Sequence, residues 1–220
     1  GVQCHIGSQL RDLAPAAEAV RAIVSLSRDL MAEGFALSTI DMGGGLGVDY
    51  DGNGAPSPED LARLVLPQIE GLGLKLLLEP GRSLIAPAGV LLTRVVAVKT
   101  NGAKRFLVTD AGMNDLLRPS LYSAFHRIEN LTAAPEAPSV SADIVGPVCE
   151  SGDFFARDRE IQESSEGDLL AILDAGAYGF SMSSNYNFRP RAAEVLLEST
   201  GPRLIRRRAT FEDLIGCEVD

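Results

Sequence analysis

In "LLLEPGR", residues 76–82, a carboxylate and a guanidinium stand three residues apart, Glu79 ending a very apolar run and Arg82 just past a Pro-Gly pair. A carboxylate so placed can keep a pyridinium nitrogen protonated, and a guanidinium can grip a carboxylate or phosphate through paired hydrogen bonds. An ordinary strand-exit ion pair uses the same residues. "DMGGGLG" (41–47) supplies Gly43, Gly44, Gly45 and Gly47 after a second apolar run. Bare backbone lets a ligand come close, and successive amides can form an anion-binding nest, although a tight turn alone would also use glycine. The run lacks the Gly-Lys-Ser/Thr end of a P-loop and the glycine spacing of a dinucleotide fingerprint.

Other segments are weaker singly. "CHIGSQ" places His5 and Ser8 at a further strand end, where a lone histidine is more often structural than catalytic. "GPVCESGD" holds Cys149, a candidate proton donor, beside Glu150, which could bind an ammonium; a buried inert cysteine is the commoner outcome. "NDLLRPSLY" offers Arg118 and Tyr122, on one side if the segment is helical. "DAGAYG" offers Tyr178 in a turn of small residues. Lys99, in "VVAVKTNGAKRF", could pass for a Schiff-base lysine, but it leads into the hairpin turn "TNGAK", where a solvated lysine is expected.

The elements that must position these groups change in kind along the chain. A short strand near residues 2–5 precedes a helical stripe of Ala16, Ala19, Val20, Ile23, Val24, Leu26 and Leu30, with Gly34 where a C-cap is expected. "LSTIDM" is a second strand, "SPEDLARLVLPQIEGLG" a helix with a serine N-cap and a proline in its first turn, and "LKLLLEP" a third strand. Strand–helix alternation implies parallel strands with right-handed crossovers. Three strands cannot close a (β/α)8 barrel but suit its C-terminal part. From Gly89 "GVLLTRVVAVKT", "KRFLVTDA", "SVSADIVGPV" and "DLLAILDAGAY" predict an antiparallel β-domain, with a helix at about 191–198. The fold class is therefore α/β plus β. Residues 1–88 form a partial, ligand-binding barrel and 89–220 a β-domain whose last helix returns to the barrel.

Composition bounds the partners. Of the 220 residues 45% are hydrophobic and 23% charged, as in globular proteins, and the net charge of −10 disfavours general binding to nucleic acid or anionic membranes. No apolar run reaches the roughly 18 residues of a membrane span. Cys4, Cys149 and Cys217 are too few and too scattered for a disulfide framework or a metal site, and the expected compartment is the cytoplasm. A strand at Gly1, without methionine, suggests a piece of a longer protein.

Taken together, "HIGSQ", "DMGGGLG", "LLLEPGRSLIAPAGVLLTRV", "DAGMNDLLRPSLY", "VGPVCESGD", "DAGAYG" and "SNYNFRPRAAEVL" occur in the order found in diaminopimelate decarboxylases. The resemblance covers the chain from Cys4 to about Arg208. It implies a pyridoxal 5'-phosphate enzyme built like alanine racemase, a barrel followed by a β-domain, active as a homodimer with shared sites. The implied reaction converts meso-2,6-diaminopimelate to L-lysine. His5 would stack on the cofactor ring, Ser8, Gly44 and Gly45 would cradle its phosphate, and Glu79 would pair with its ring nitrogen. Gly81 and Arg82 would complete the phosphate and substrate contacts. Arg82, Arg118 and Tyr122 would hold the distal carboxylate and Glu150 the distal ammonium. Cys149 would protonate the carbon that loses CO2, and Tyr178 would reach the cofactor.

One departure is large: the family's Schiff-base lysine lies upstream of the segment matching "HIGSQ". The resemblance therefore implies a C-terminal portion, inactive alone and needing an N-terminal portion. Decarboxylases of arginine, ornithine or carboxynorspermidine, or a non-catalytic binding module, are the alternatives. Arg118 with Glu150 disfavours the other decarboxylases, because a zwitterionic distal end needs both charges.

Overall fold

The computed structural model describes residues 1–219. They form two compact units, Gly1–Ala88 and a second from Gly89 onward.

The first unit is a parallel sheet of three strands in the order β1 (Val2–Gln3), β2 (Thr39–Asp41), β3 (Lys75–Leu77). Val2 lies opposite Ile40, and Ile40 opposite Leu76. Helices α1 (Ala14–Ala32) and α2 (Pro58–Ile69) make the crossovers. α2 starts where a capping box fixes it: the Ser57 hydroxyl accepts from the Asp60 amide, the Asp60 carboxylate accepts from the Ser57 amide, and Pro58 fills the first turn. α1 ends before Gly34, whose φ of +94° suits glycine. The buried stripe of α1 is Ala16, Val20, Ile23, Val24 and Ser27, packed with Ile40 and Val65. Leu26, expected inside, is half exposed, and Ser27 takes the inward position by donating its hydroxyl to the Ile23 carbonyl (2.7 Å). A short helix, α3 (Arg82–Ile85), follows β3.

The second unit is a six-stranded sheet in the order β6-β9-β4-β5-β7-β8. The strands are β4 (Leu91–Asn101), β5 (Lys104–Thr109), β6 (Ile128–Asn130), β7 (Ser139–Val145), β8 (Phe154–Gln162) and β9 (Leu169–Ile172). β4 and β5 form the hairpin expected at "TNGAK", Asn101 opposite Lys104 across Gly102 with φ +60°. Edge strands β6 and β8 approach one another, so the sheet is nearly closed. Its core is Val95, Leu107, Leu116, Ile144, Phe155, Leu170 and Ile172.

Two expectations fail here. The sheet is mixed rather than antiparallel, because β5 pairs with β7 in parallel, Leu107 opposite Ile144. The helix expected at about 191–198 is instead β10 (Glu194–Glu198), paired antiparallel with β11 (Gly201–Arg206). "AAEVLLE" has helical spacing, but cross-strand pairing and the bidentate-like contacts of Arg203 with Glu198 (2.8–3.2 Å) favour the hairpin. The last helix is a short α5 (Phe211–Ile215), capped by Thr210 and Asp213.

Candidate active site

In a parallel sheet the loops after successive strands emerge on one edge. In the first unit those loops carry His5 and Ser8 after β1, the glycines after β2, and Glu79, Gly81 and Arg82 after β3. The backbone ties them: the Cys4 amide donates to Asp41, Met42 to Leu77, and Glu79 to Gly43 (2.7 Å). Arg82 donates through Nε and Nη2 to Ser8 Oγ (3.3 and 3.1 Å) and through Nη1 to the Tyr50 hydroxyl (3.1 Å). The Gly44 amide points at His5 Nδ1 (3.4 Å).

The glycines serve packing first. A methyl group on Gly44 would fall 2.2 Å from the Glu79 carbonyl oxygen, and one on Gly45, at φ +100°, would fall 2.2 Å from that of Gly7. Side chains there would drive the three loops apart. Gly81 differs: its φ is −109°, and an added methyl would meet nothing within 4 Å. Neither conformation nor packing inside this unit demands glycine at that place.

In the second unit Arg118 opens α4 (Arg118–Tyr122). Its guanidinium is buried and donates through Nη1 to His126 Nε2 (2.8 Å), while His126 Nδ1–H donates to the Leu173 carbonyl (2.8 Å). Burial, reinforced by the Arg118 charge and opposed by the Leu173 carbonyl, holds the His126 pKa at about 4, so the ring is neutral near pH 7. Tyr122, one turn on, is exposed. Cys149 and Glu150 are both exposed in the loop between β7 and β8. Glu150 Oε1 accepts from the Gly152 amide (3.2 Å) and Oε2 from the Tyr186 hydroxyl (3.3 Å). The carboxylate charge, with some desolvation, raises the Tyr186 pKa. The Ser120 hydroxyl donates to the Gly152 carbonyl, so α4 and the Cys149–Glu150 loop are directly joined. Tyr178 occupies its turn with φ +60° and is half exposed.

Sequence reasoning missed Tyr50, His126, Asp153 and Tyr186. Asp153 and Tyr186 lie inside the quoted motifs "GPVCESGD" and "SNYNFRPRAAEVL", but their partners are backbone amides and a distant carboxylate, which leave no local signature. None of the three lysines joins these groups. Lys75 begins β3, at the opposite end from Glu79; Lys99 is exposed in β4 opposite Phe106; Lys104 is ion-paired with Asp143 and Asp158. Among the described residues no group of three or more His, Cys, Asp or Glu could hold a metal ion, and no helix is long and apolar enough to cross a membrane.

A family profile described as "Pyridoxal-dependent decarboxylase, C-terminal sheet domain" matches residues 22–176. The chain belongs to this family. The diaminopimelate decarboxylase of Aquifex aeolicus is 50% identical to it over 221 residues, which span all of this chain and 52% of that protein. The enzyme of the same name from Neisseria meningitidis serogroup A is 52% identical, over all of this chain and 53% of its own length. Among solved structures, the diaminopimelate decarboxylase of M. jannaschii in co-complex with L-lysine superposes with a TM-score of 0.96 at 42% identity, covering all of this chain and 52% of that one. The chain thus spans about half the length of the curated relatives it matches. Membership in a pyridoxal-dependent decarboxylase family implies pyridoxal phosphate as cofactor. The groups after β1–β3 fit it chemically: a serine hydroxyl, a guanidinium and glycine amides suit a phosphate, and a carboxylate suits a protonated ring nitrogen.

Proposed function

We propose that the protein containing this chain decarboxylates meso-2,6-diaminopimelate to L-lysine. The observation that carries the proposal is in the second unit: the helix bearing Arg118 and the loop bearing Glu150 are bonded through Ser120 and Gly152. The two segments offer a cation and an anion, the pair a zwitterionic substrate end requires, with the anion of one copy serving the site of the other. The 50% and 52% identities to diaminopimelate decarboxylases support the same reading.

In this reading the parallel strands of the first unit are the last part of a (β/α)8 barrel, and their loops form the cofactor end. Ser8, Gly44, Gly45, Gly81 and Arg82 bind the phosphate; the open space at Gly81 is where a ligand would come closest to bare backbone. His5 would lie against the ring, and Glu79 would accept a charged hydrogen bond from the protonated ring nitrogen. Pyridoxal phosphate supplies the electron sink for the carbon that loses CO2. Arg82, Arg118 and Tyr122 hold the distal carboxylate, Glu150 the distal ammonium, and Tyr178 contacts the cofactor. Cys149 gives its thiol proton to the carbon left by CO2. Its exposure, with that of Glu150, is consistent with a homodimer in which this loop serves the site of a second copy. The lysine that would hold the cofactor covalently is assigned to the half of the relatives' length outside this chain.

The test is lysine formation from meso-diaminopimelate by the full-length enzyme. Glu150→Gln and Arg118→Leu are each expected to lower kcat/KM about 100-fold or more, since each leaves a charged substrate end without its partner. Turnover of ornithine but not diaminopimelate would overturn the assignment.

A further inference from the structure

We propose that His126 is a positioning residue that orients the Arg118 guanidinium for the distal carboxylate of the substrate. The proposal rests on reading Arg118 as a contact to that carboxylate. His126 is fully buried and lies between α4 and β6. Its two ring nitrogens have different partners, and those partners fix its tautomer. The Leu173 carbonyl can only accept, so Nδ1 carries the hydrogen (2.8 Å). The guanidinium can only donate, so Nε2 receives Arg118 Nη1 with its lone pair (2.8 Å). A guanidinium is a planar fork, and holding one nitrogen limits where its other donors point. The link lies within one chain and holds whichever copy supplies Glu150.

The imidazole is itself held in place. The Leu173 amide donates to the Arg127 carbonyl (2.9 Å), and the Arg127 guanidinium pairs with buried Asp174 (3.1 Å). From β8, Arg159 donates to the His126 carbonyl (2.7 Å) and lies over the Phe125 ring, 3.8 Å from its centre. Arg118, Asp174 and Arg159 are the charged groups around the imidazole. Burial, helped by the two arginines, keeps the ring neutral near pH 7 against the pull of the Leu173 carbonyl and Asp174. That neutrality matters to the chemistry. A carboxylate in place of His126 would hold the guanidinium as firmly but would cancel its charge and compete with the substrate carboxylate. A neutral acceptor directs Arg118 without cancelling its charge.

In the full-length enzyme, His126→Leu removes the acceptor and is expected to raise KM for meso-diaminopimelate about tenfold, while kcat stays within about twofold. The inhibition constant of L-lysine, the product that keeps the distal carboxylate, should rise by the same factor. His126→Gln offers an amide oxygen near the place of Nε2 and should return both constants to within about threefold of wild type. Equal losses in the two variants, or a loss confined to kcat, would mean a merely structural role and overturn the proposal. If His126→Leu does not fold, His126→Asn keeps a donor for Leu173 but falls short of Arg118, and the same rise in KM is expected. Nitrogen NMR of the enzyme carrying isotope-labelled histidine tests the link directly. Near pH 7 the signals missing from His126→Gln should report an unprotonated Nε2, and a protonated one would overturn the assignment. A wild-type enzyme that leaves diaminopimelate untouched sinks the functional reading and the role of Arg118 with it, while the nitrogen spectrum separately decides whether the link exists.

Discussion

In the first unit the functional loops meet through bare backbone, with Gly44 so close to the Glu79 carbonyl that a methyl group would lie 2.2 Å from its oxygen. In the second, the loops are joined by side chains: buried Asp153 between two amides, half-buried Ser120 on Gly152, and buried His126 between Arg118 and Leu173. The two constructions fail differently. Backbone-to-backbone contact tolerates no added atom but contains nothing that titrates. Side-chain hubs are as crowded, a methyl on Gly146 falling 2.4 Å from both Asp153 oxygens, but they also depend on protonation. Leu107 of β5 is fully enclosed in the second unit's core.

The largest expected effect concerns that enclosed leucine. Leu107→Ala should cost about 4 kcal/mol in a urea melt of the full-length protein, through lost transfer energy and a cavity. A loss under about 1 kcal/mol would mean that the second unit's core is not closed around this side chain. Next comes pH. His126 has its folded-state pKa depressed from the ordinary 6.5 to about 4, so the unfolded chain binds more protons between those values. Stability is therefore complete above about pH 6.5 and falls as pH drops towards 4, by about 3 kcal/mol in all. His126→Gln should flatten that segment of the stability–pH curve; an unchanged slope would mean that another group is responsible. Third, Gly44→Ala should destabilise by about 2 kcal/mol. Gly81→Ala should stay within about 0.5 kcal/mol yet weaken pyridoxal phosphate binding, read as visible absorbance on titration. If both substitutions behave alike, the reading of Gly81 as an approach point for a ligand is wrong. The smallest effect belongs to Lys99→Ala, an exposed strand position: about 0.5 kcal/mol or less, with no change in the visible spectrum of bound cofactor.

What the sequence made legible was whatever local chemistry specifies. Ser57, Pro58 and Asp60 encode the start of α2, and Asn101-Gly102 encodes the β4–β5 turn. The ends of β1, β2 and β3 were readable because apolar runs stop at glycine or proline, and those ends carry the candidate cofactor contacts. Elements specified by distant partners were not legible. β8, "FFARDREIQ", mixes charge with apolar residues and becomes a strand by pairing with β7, Val140 opposite Ile161. β10 was hidden by helical spacing. Arg118 and Tyr122 were rightly set one turn apart, but the burial of Arg118 against His126 depends on β9 delivering the Leu173 carbonyl. Asp153 was overlooked beside more reactive neighbours because its partners are amides, which every residue has.

The parallel seam between β5 and β7 has a consequence for the order of folding events. The β4–β5 turn and the β7–β8 loop each close locally, whereas a parallel pair must wait for its whole crossover to come round. That crossover runs from Thr109 to Ser139 and contains α4 and β6. The Arg118 helix is therefore carried in the last segment to settle, and the Cys149–Glu150 loop hangs from the far strand of the same seam. A newly made chain would form its hairpins before the Arg118 helix is in place, and regain of activity on refolding should lag behind regain of hairpin structure.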